Sequence, residues 1–216
     1  MARVAPDLDP VLTGRRVTLR GLRIEDFSAW SDVRNRCREW LLRWEPRPAR
    51  APYPMEDRPT FGARCVMRER ERALGSGYAF GMFLDEKFLG EANLSGIQRG
   101  AMQGASIGYW IDEDVAGNGY VPEACALLFQ FAFEELGLHR VQISIVPRNA
   151  PSRSVARKLW LRGEGIAQRY LEIDGVWEDH VCYAITAEEW EERKGRYAEL
   201  WFSQVTANSS EQSSIH

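Results

Sequence analysis

The residues best suited to chemistry are Ala116-Gly117-Asn118-Gly119-Tyr120-Val121-Pro122-Glu123-Ala124, which join a strand-like run, Ala105 to Ile111, to a long apolar helical pattern. Glycines at a strand-to-helix turn let a ligand approach the backbone closely. The N–H groups and dipole of the helix start favour negative charge. The chemistry expected of the turn is therefore the holding of a phosphate-bearing ligand. A P-loop would need Gly-Lys-Ser/Thr, but Tyr120 and Val121 follow Gly119. A dinucleotide fold would need a third glycine, at position 122, where proline stands. A second signal supports an anionic ligand. Between Glu135 and Glu164 no acidic residue occurs, while Arg140, Arg148, Arg153, Arg157, Lys158 and Arg162 do. Such a run is either a phosphate-facing field or an ordinary solvated surface.

The elements around this turn follow from periodicity. Val17 and Leu19 alternate in an entry strand, Arg15 to Arg20. Phe27, Trp30 and Val33 place a helix over Glu25 to Arg36. Pro46, Pro48, Pro52, Pro54 and Pro59 make the segment after Trp44 a loop. A charged helix runs from about Thr60 to Ala73, and Tyr78–Leu84 and Phe88–Leu94 form a hairpin about Asp85-Glu86-Lys87. Pro122 to Leu136 is apolar on every side, a buried helix closed by Gly137. Then come a strand, Arg140–Val146, and a short helix, Asn149–Trp160. Asp174-Gly175 turns a second hairpin, Gly165–Ile173 with Val176–Ile185. Thr186 and Glu189 form a capping box for a last helix to Trp201.

This order predicts an α/β fold of the α+β type, with a mixed, mostly antiparallel sheet flanked by helices. The 216 residues suffice for one well-buried domain, expected over residues 1–202, followed by a disordered polar tail over 203–216. A net charge of −3 with 27% charged residues gives no general reason to expect nucleic-acid reading or membrane binding. Cys37, Cys65, Cys125 and Cys182 form no CxxC pair, so free thiols are expected and no metal site. Without a leader-like start or an apolar run of membrane length, a cytoplasmic location is expected.

A third kind of glycine turn is the pyrophosphate loop of the GCN5-related N-acetyltransferases, Arg/Gln-x-x-Gly-x-Gly/Ala. The chain resembles that superfamily over about residues 10 to 195 and is most similar to its RimJ/RimL branch. The stretches that carry the likeness include Trp44-Glu45-Pro46, Gly90-Glu91-Ala92-Asn93-Leu94-Ser95, Ile107-Gly108-Tyr109-Trp110 and Gly117-Asn118-Gly119-Tyr120. Others are Leu138-His139-Arg140-Val141, Asn149-Ala150-Pro151-Ser152 and Tyr170-Leu171-Glu172-Ile173-Asp174-Gly175-Val176-Trp177-Glu178-Asp179-His180-Val181. Ala116 stands where the loop's Arg or Gln is expected, Val121 where Gly or Ala is usual, and Trp160 interrupts the family's Lys-Leu-Gly-Phe.

The resemblance implies acetyl-CoA as co-substrate, held by Ala116, Gly117, Asn118, Gly119, Tyr120 and Val121 with Asn149, Ser152 and Arg153. It implies direct transfer: a neutral amine attacks the thioester and a backbone N–H near Trp110 and Ile111 meets the oxyanion. The tyrosine that protonates the sulfur in many relatives falls on Ala156 here, so Ser152 is the expected acid; its other role is that of a helix cap. The glutamates of RimL- and RimI-type enzymes fall on Leu171 and Ser144. Glu91 is the first candidate base, with an ordinary strand carboxylate as the competing role, and Asp179-His180 reads rather as hairpin support. Trp44, Glu45 and Tyr170 are expected to shape the acceptor site. A dedicated strong base is missing. At pH 7 about 10–20% of an α-amine is neutral, against about 0.04% of a lysine amine. The expected acceptor is therefore a protein N terminus, and the resemblance implies that of a ribosomal protein beginning with alanine or another small residue. A small-molecule amine, or a ribosome-assembly module with weak catalysis, are the rival readings. The chain is expected to act as monomer or homodimer.

Overall fold

The computed structural model describes residues 9–46 and 57–202. Most of the proline-rich loop and the polar tail read from the sequence lie outside them. One sheet of eight strands organises the chain, in the order β1-β2-β3-β4-β5-β6-β8-β7. The strands are β1 (Leu12–Thr13), β2 (Val17–Arg20), β3 (Tyr78–Leu84), β4 (Lys87–Gln98), β5 (Gly104–Ile111), β6 (Arg140–Ile145), β7 (Arg162–Ile173) and β8 (Val176–Thr186). All neighbours are antiparallel except β5 and β6. The helices are α1 (Phe27–Arg36), α2 (Arg38–Leu42), α3 (Arg58–Ala73), α4 (Tyr120–Gln130), α5 (Ala150–Lys158) and α6 (Ala187–Trp201). This is the mixed, mostly antiparallel α/β sheet expected from the sequence. No described helix is long and apolar enough to cross a membrane.

Local chemistry explains the boundaries. Asp57 caps α3 by accepting from the Thr60 N–H at 2.8 Å, with Pro59 in the first turn, where its missing N–H costs nothing. Asp174 and Gly175 both have positive φ, 45° and 83°, as a two-residue hairpin turn requires. Thr186 and Glu189 form the capping box of α6. Two local features differ from the sequence reading. Arg38–Leu42 forms a short helix that buries Leu41. The long apolar helix is α-helical only to Gln130 and continues as a π-turn over Phe131–Glu135. There Phe131 packs edge-on against Tyr78, and Phe133 reaches Trp190. The core has two parts. The larger lies where α4, α5 and α6 meet the sheet; the smaller gathers Trp30, Val33, Leu41 and Phe61 from α1, α2 and α3 onto Phe83 and Phe88.

Candidate active site

The site begins where the sheet comes apart. β5 and β6 pair only at Gly104–Arg140, Ala105–Val141 and Ser106–Gln142. Beyond that point β5 stays with β4 as far as Ile111, and β6 stays with β8 as far as Ile145. The two strands diverge, leaving the β6-facing edge of β5 open over residues 107–111. Crevices at the C-terminal ends of parallel strands are ready binding sites. Here the gap opens into a cavity of about 790 Å³. One wall is made by the turn before α4 and the first turns of α4 and α5; the other by α1, α2, α3 and β4.

The glycine turn is built for an anion. Gly117 and Gly119 have φ of 87° and 85°, a region that side chains disfavour. Gly119 is the N-cap of α4 and no side chain caps that helix. First-turn N–H groups are thus left for a ligand. Ala116, Gly117, Gly119, Tyr120 and Val121 line the cavity. Asn118 does not: its Nδ2 donates to the Val115 carbonyl at 3.0 Å, a staple within the turn. The shape and exposed donors suit a phosphate-bearing ligand.

Behind the turn sits Arg16, which sequence reasoning missed. Its Nη1 and Nη2 donate to the carbonyls of Asn118 and Gly119 at 3.0 and 3.2 Å. Its Nε donates to Glu123 Oε2 at 2.8 Å. Glu123 is fully buried and also accepts from the N–H groups of Arg16 and Val17, at 2.6 and 3.0 Å.

At the start of α5, Asn149 Oδ1 accepts from the Ser152 N–H at 3.1 Å, so Asn149 is the cap. The Ser152 hydroxyl is left free of that duty and lies 2.6 Å from Tyr109 Oη. Burial pushes the Tyr109 hydroxyl well above the ordinary tyrosine range, with the Ser152 bond pulling slightly the other way. Both side chains line the cavity, as does Asn149. The sequence motif alone assigns Tyr109 no role; its signal is the alternation that turns it with Ile107 and Ile111 to one face. Ala156, where the resemblance would place a tyrosine, is buried in the core.

At the other end, Trp110 and Ile111 line the cavity with Trp44 and Glu45. Glu45 is ion-paired with Arg34, whose guanidinium lies 5.4 Å from the Trp110 ring centre. Arg148 stacks on Trp44 at 4.8 Å and bonds Glu178. Glu91 is not a surface carboxylate. It is 1% exposed, accepts from Trp30 Nε1 at 2.8 Å and Arg64 Nη2 at 2.5 Å, and faces the cavity.

Several expectations need correction. Arg153 turns away from the cavity and donates to Tyr183 Oη and the Pro147 carbonyl, each at 3.3 Å. Tyr170 lies on the outermost strand, 41% exposed, with its ring against His180. Half of the basic run is ion-paired: Arg140 and Arg162 meet Glu164, and Arg148 meets Glu178. Lys158 of that run does line the cavity. Asp179 accepts from the Arg169 N–H, and His180 Nδ1 lies 3.0 Å from the Glu178 carbonyl, both within the β7–β8 hairpin.

A family model described as an acetyltransferase (GNAT) domain matches residues 16–161. The chain belongs to the GNAT acetyltransferases. It is 34% identical over 179 residues to the probable N-acetyltransferase YjcK of Bacillus subtilis (strain 168), covering 81% of this chain and 96% of that protein. It is 33% identical over 184 residues to the ribosomal protein uS5-alanine N-acetyltransferase of Escherichia coli (strain K12), covering 83% and 92%. Among solved structures, Mycobacterium smegmatis RimJ in complex with CoA-disulfide superposes with a TM-score of 0.81 at 32% identity, covering 90% of this chain and 94% of that one. The splayed strands and the glycine turn are thus features of a GNAT N-acetyltransferase fold.

Proposed function

We propose that this GNAT enzyme acetylates the α-amino group of a protein N terminus, with acetyl-CoA as donor. The acceptor we infer is a ribosomal protein that begins with alanine or another small residue. One observation carries the reading: a single cavity runs from the uncapped glycine turn to an indole-walled mouth that holds Glu45 and Glu91. The names of the Escherichia coli and Mycobacterium smegmatis relatives support both the donor and the acceptor class.

Acetyl-CoA, when bound, supplies an acetyl thioester. The turn's N–H groups at Gly117 to Val121 hold its phosphates, with Lys158 as the nearby cation. The open edge of β5 beside Trp110 and Ile111 offers a backbone N–H to the carbonyl oxygen. The Tyr109–Ser152 hydroxyl pair passes a proton to the departing sulfur, and the raised tyrosine keeps that proton available at the pH where amines are neutral. Glu91 uses one lone pair on each oxygen for Trp30 and Arg64, and has others left for the amine's proton, directly or through water. The indoles of Trp30, Trp44 and Trp110 suit a cationic terminus before it loses that proton.

Mass spectrometry of a peptide panel tests the reading. Peptides with free N-terminal Ala, Ser or Gly are expected to gain one acetyl group at the α-amine. The same peptides with a blocked α-amine and an internal lysine are expected to stay unmodified. Acetylation confined to lysine, or none in any peptide, overturns it.

A further inference from the structure

We propose that Arg16, anchored by Glu123, is a positioning residue that aims the N–H groups of the glycine turn into the cavity. It takes over a task that a charged residue at position 116 would otherwise share.

The peptide unit is planar and trans, so its C=O and N–H point in opposite directions. Arg16 draws the carbonyls of Asn118 and Gly119 toward its guanidinium. The N–H groups of the same two units, those of Gly119 and Tyr120, must then face away from Arg16, toward the side lined by Gly117, Gly119 and Tyr120. A glycine turn is free to rotate these units, because both glycines already sit at positive φ and Gly117 has no neighbour crowding it. Something must therefore fix them, and α4 has no side-chain cap to do so.

The guanidinium is itself fixed. Nε bonds buried Glu123, and the Tyr120 ring lies 4.9 Å from its centre. Glu123 has its oxygens satisfied by three donors from the start of β2. Gly14 belongs to the same device, since a Cβ there would meet Glu123 Oε1 at 2.7 Å. A planar fork of five donors is needed to span two carbonyls and a carboxylate at once; the point charge of lysine cannot do this. Ala116 brings no charge to the turn, so orientation of its amides carries more of the binding here.

The inference rests on the acetyl-CoA reading above. Calorimetry with CoA on the full chain tests it, using Arg16→Gln and Arg16→Lys. Both variants are expected to raise the Kd for CoA at least tenfold. In the same variants kcat/KM with S-acetylpantetheine, which has no phosphates, is expected to stay within twofold of the wild type. If Arg16→Gln does not fold, Arg16→Lys alone decides. A CoA affinity within twofold of the wild type, or equal losses with both donors, overturns the proposal. A wild-type chain that binds no CoA would instead remove the acetyl-CoA reading, and this one with it.

Discussion

Tyr109 and Ser152 are 43 residues apart in sequence and 2.6 Å apart in space, which is why one was expected from sequence and the other was not. The glycine turn was legible because its two glycines and its flanking periodicities are local. Arg16 and Glu123, 107 residues apart, announce nothing locally. The pairing of Arg140 and Arg148 was hidden for the same reason: Glu164 and Glu178 stand 24 and 30 residues further along the chain. The hydroxyl pair carries a prediction. Tyr109→Phe and Ser152→Ala should each lower kcat by about 10²-fold, the usual size of an acid–base contribution. The double variant should be little worse than the worse single one, because the groups act as a unit. Burial favours the neutral phenol, so the proton remains available as pH rises. The wild-type kcat/KM should therefore climb with pH as the acceptor amine loses its proton, and hold to about pH 10. A falling limb below pH 10 that disappears in Tyr109→Phe would sink this assignment.

The elements were read most faithfully where a turn or cap has one chemical solution. Asp174-Gly175 and the Thr186–Glu189 box are of that kind. The π-turn after Gln130 was not legible, because an all-apolar helix carries no sign of which residue the widened turn will absorb. Nor was the irregular pairing of β7, which shifts register twice along β8. Charge adds to the ladder that holds that outer strand: Glu164 of β7 bonds Arg140 of β6 and Arg162, and Arg162 also meets Glu189 of α6. The side-chain bonds from Arg140 and then Arg162 hold the Glu164 carboxyl at about 2, below its ordinary value. A depressed folded pKa means that the contribution is full above the unfolded value, near 4.3, and fades as pH falls toward 2. With the carboxylate partly open to solvent, we expect Glu164→Gln to cost only about 1 kcal/mol at pH 7. That corresponds to about 2–4 °C in Tm for a chain of this size. Thermal scans from pH 7 to pH 3 should show the gap between wild type and variant narrowing. A constant gap across that range would mean that the pair is not the cause.

At the scale of the molecule, the binding site and the one parallel seam of the sheet are one feature. Eight strands form a single sheet, yet β1 to β5 and the β6-β8-β7 group meet through only three residue pairs. A mixed, mostly antiparallel sheet was foreseeable from the alternation of hairpins and helices, but the divergence of β5 from β6 was not, since nothing in either strand's own sequence marks where pairing stops. α4 packs on β2, β4 and β5 on one side of the seam and meets α5 and α6, which follow β6 and β8; its N terminus closes one end of the cavity. A ligand in that cavity touches β5 on one side and α5, which follows β6, on the other. It should therefore tie the two groups together and stabilise the chain as a whole, beyond ordering one loop. CoA at about 100 times its Kd would add about 2.7 kcal/mol by mass action. For about 200 residues this raises Tm by about 5–10 °C. Amide exchange should slow on β5 and on β6 together in the same titration. Protection confined to the turn before α4 would show that the seam is held by α4 and the core alone.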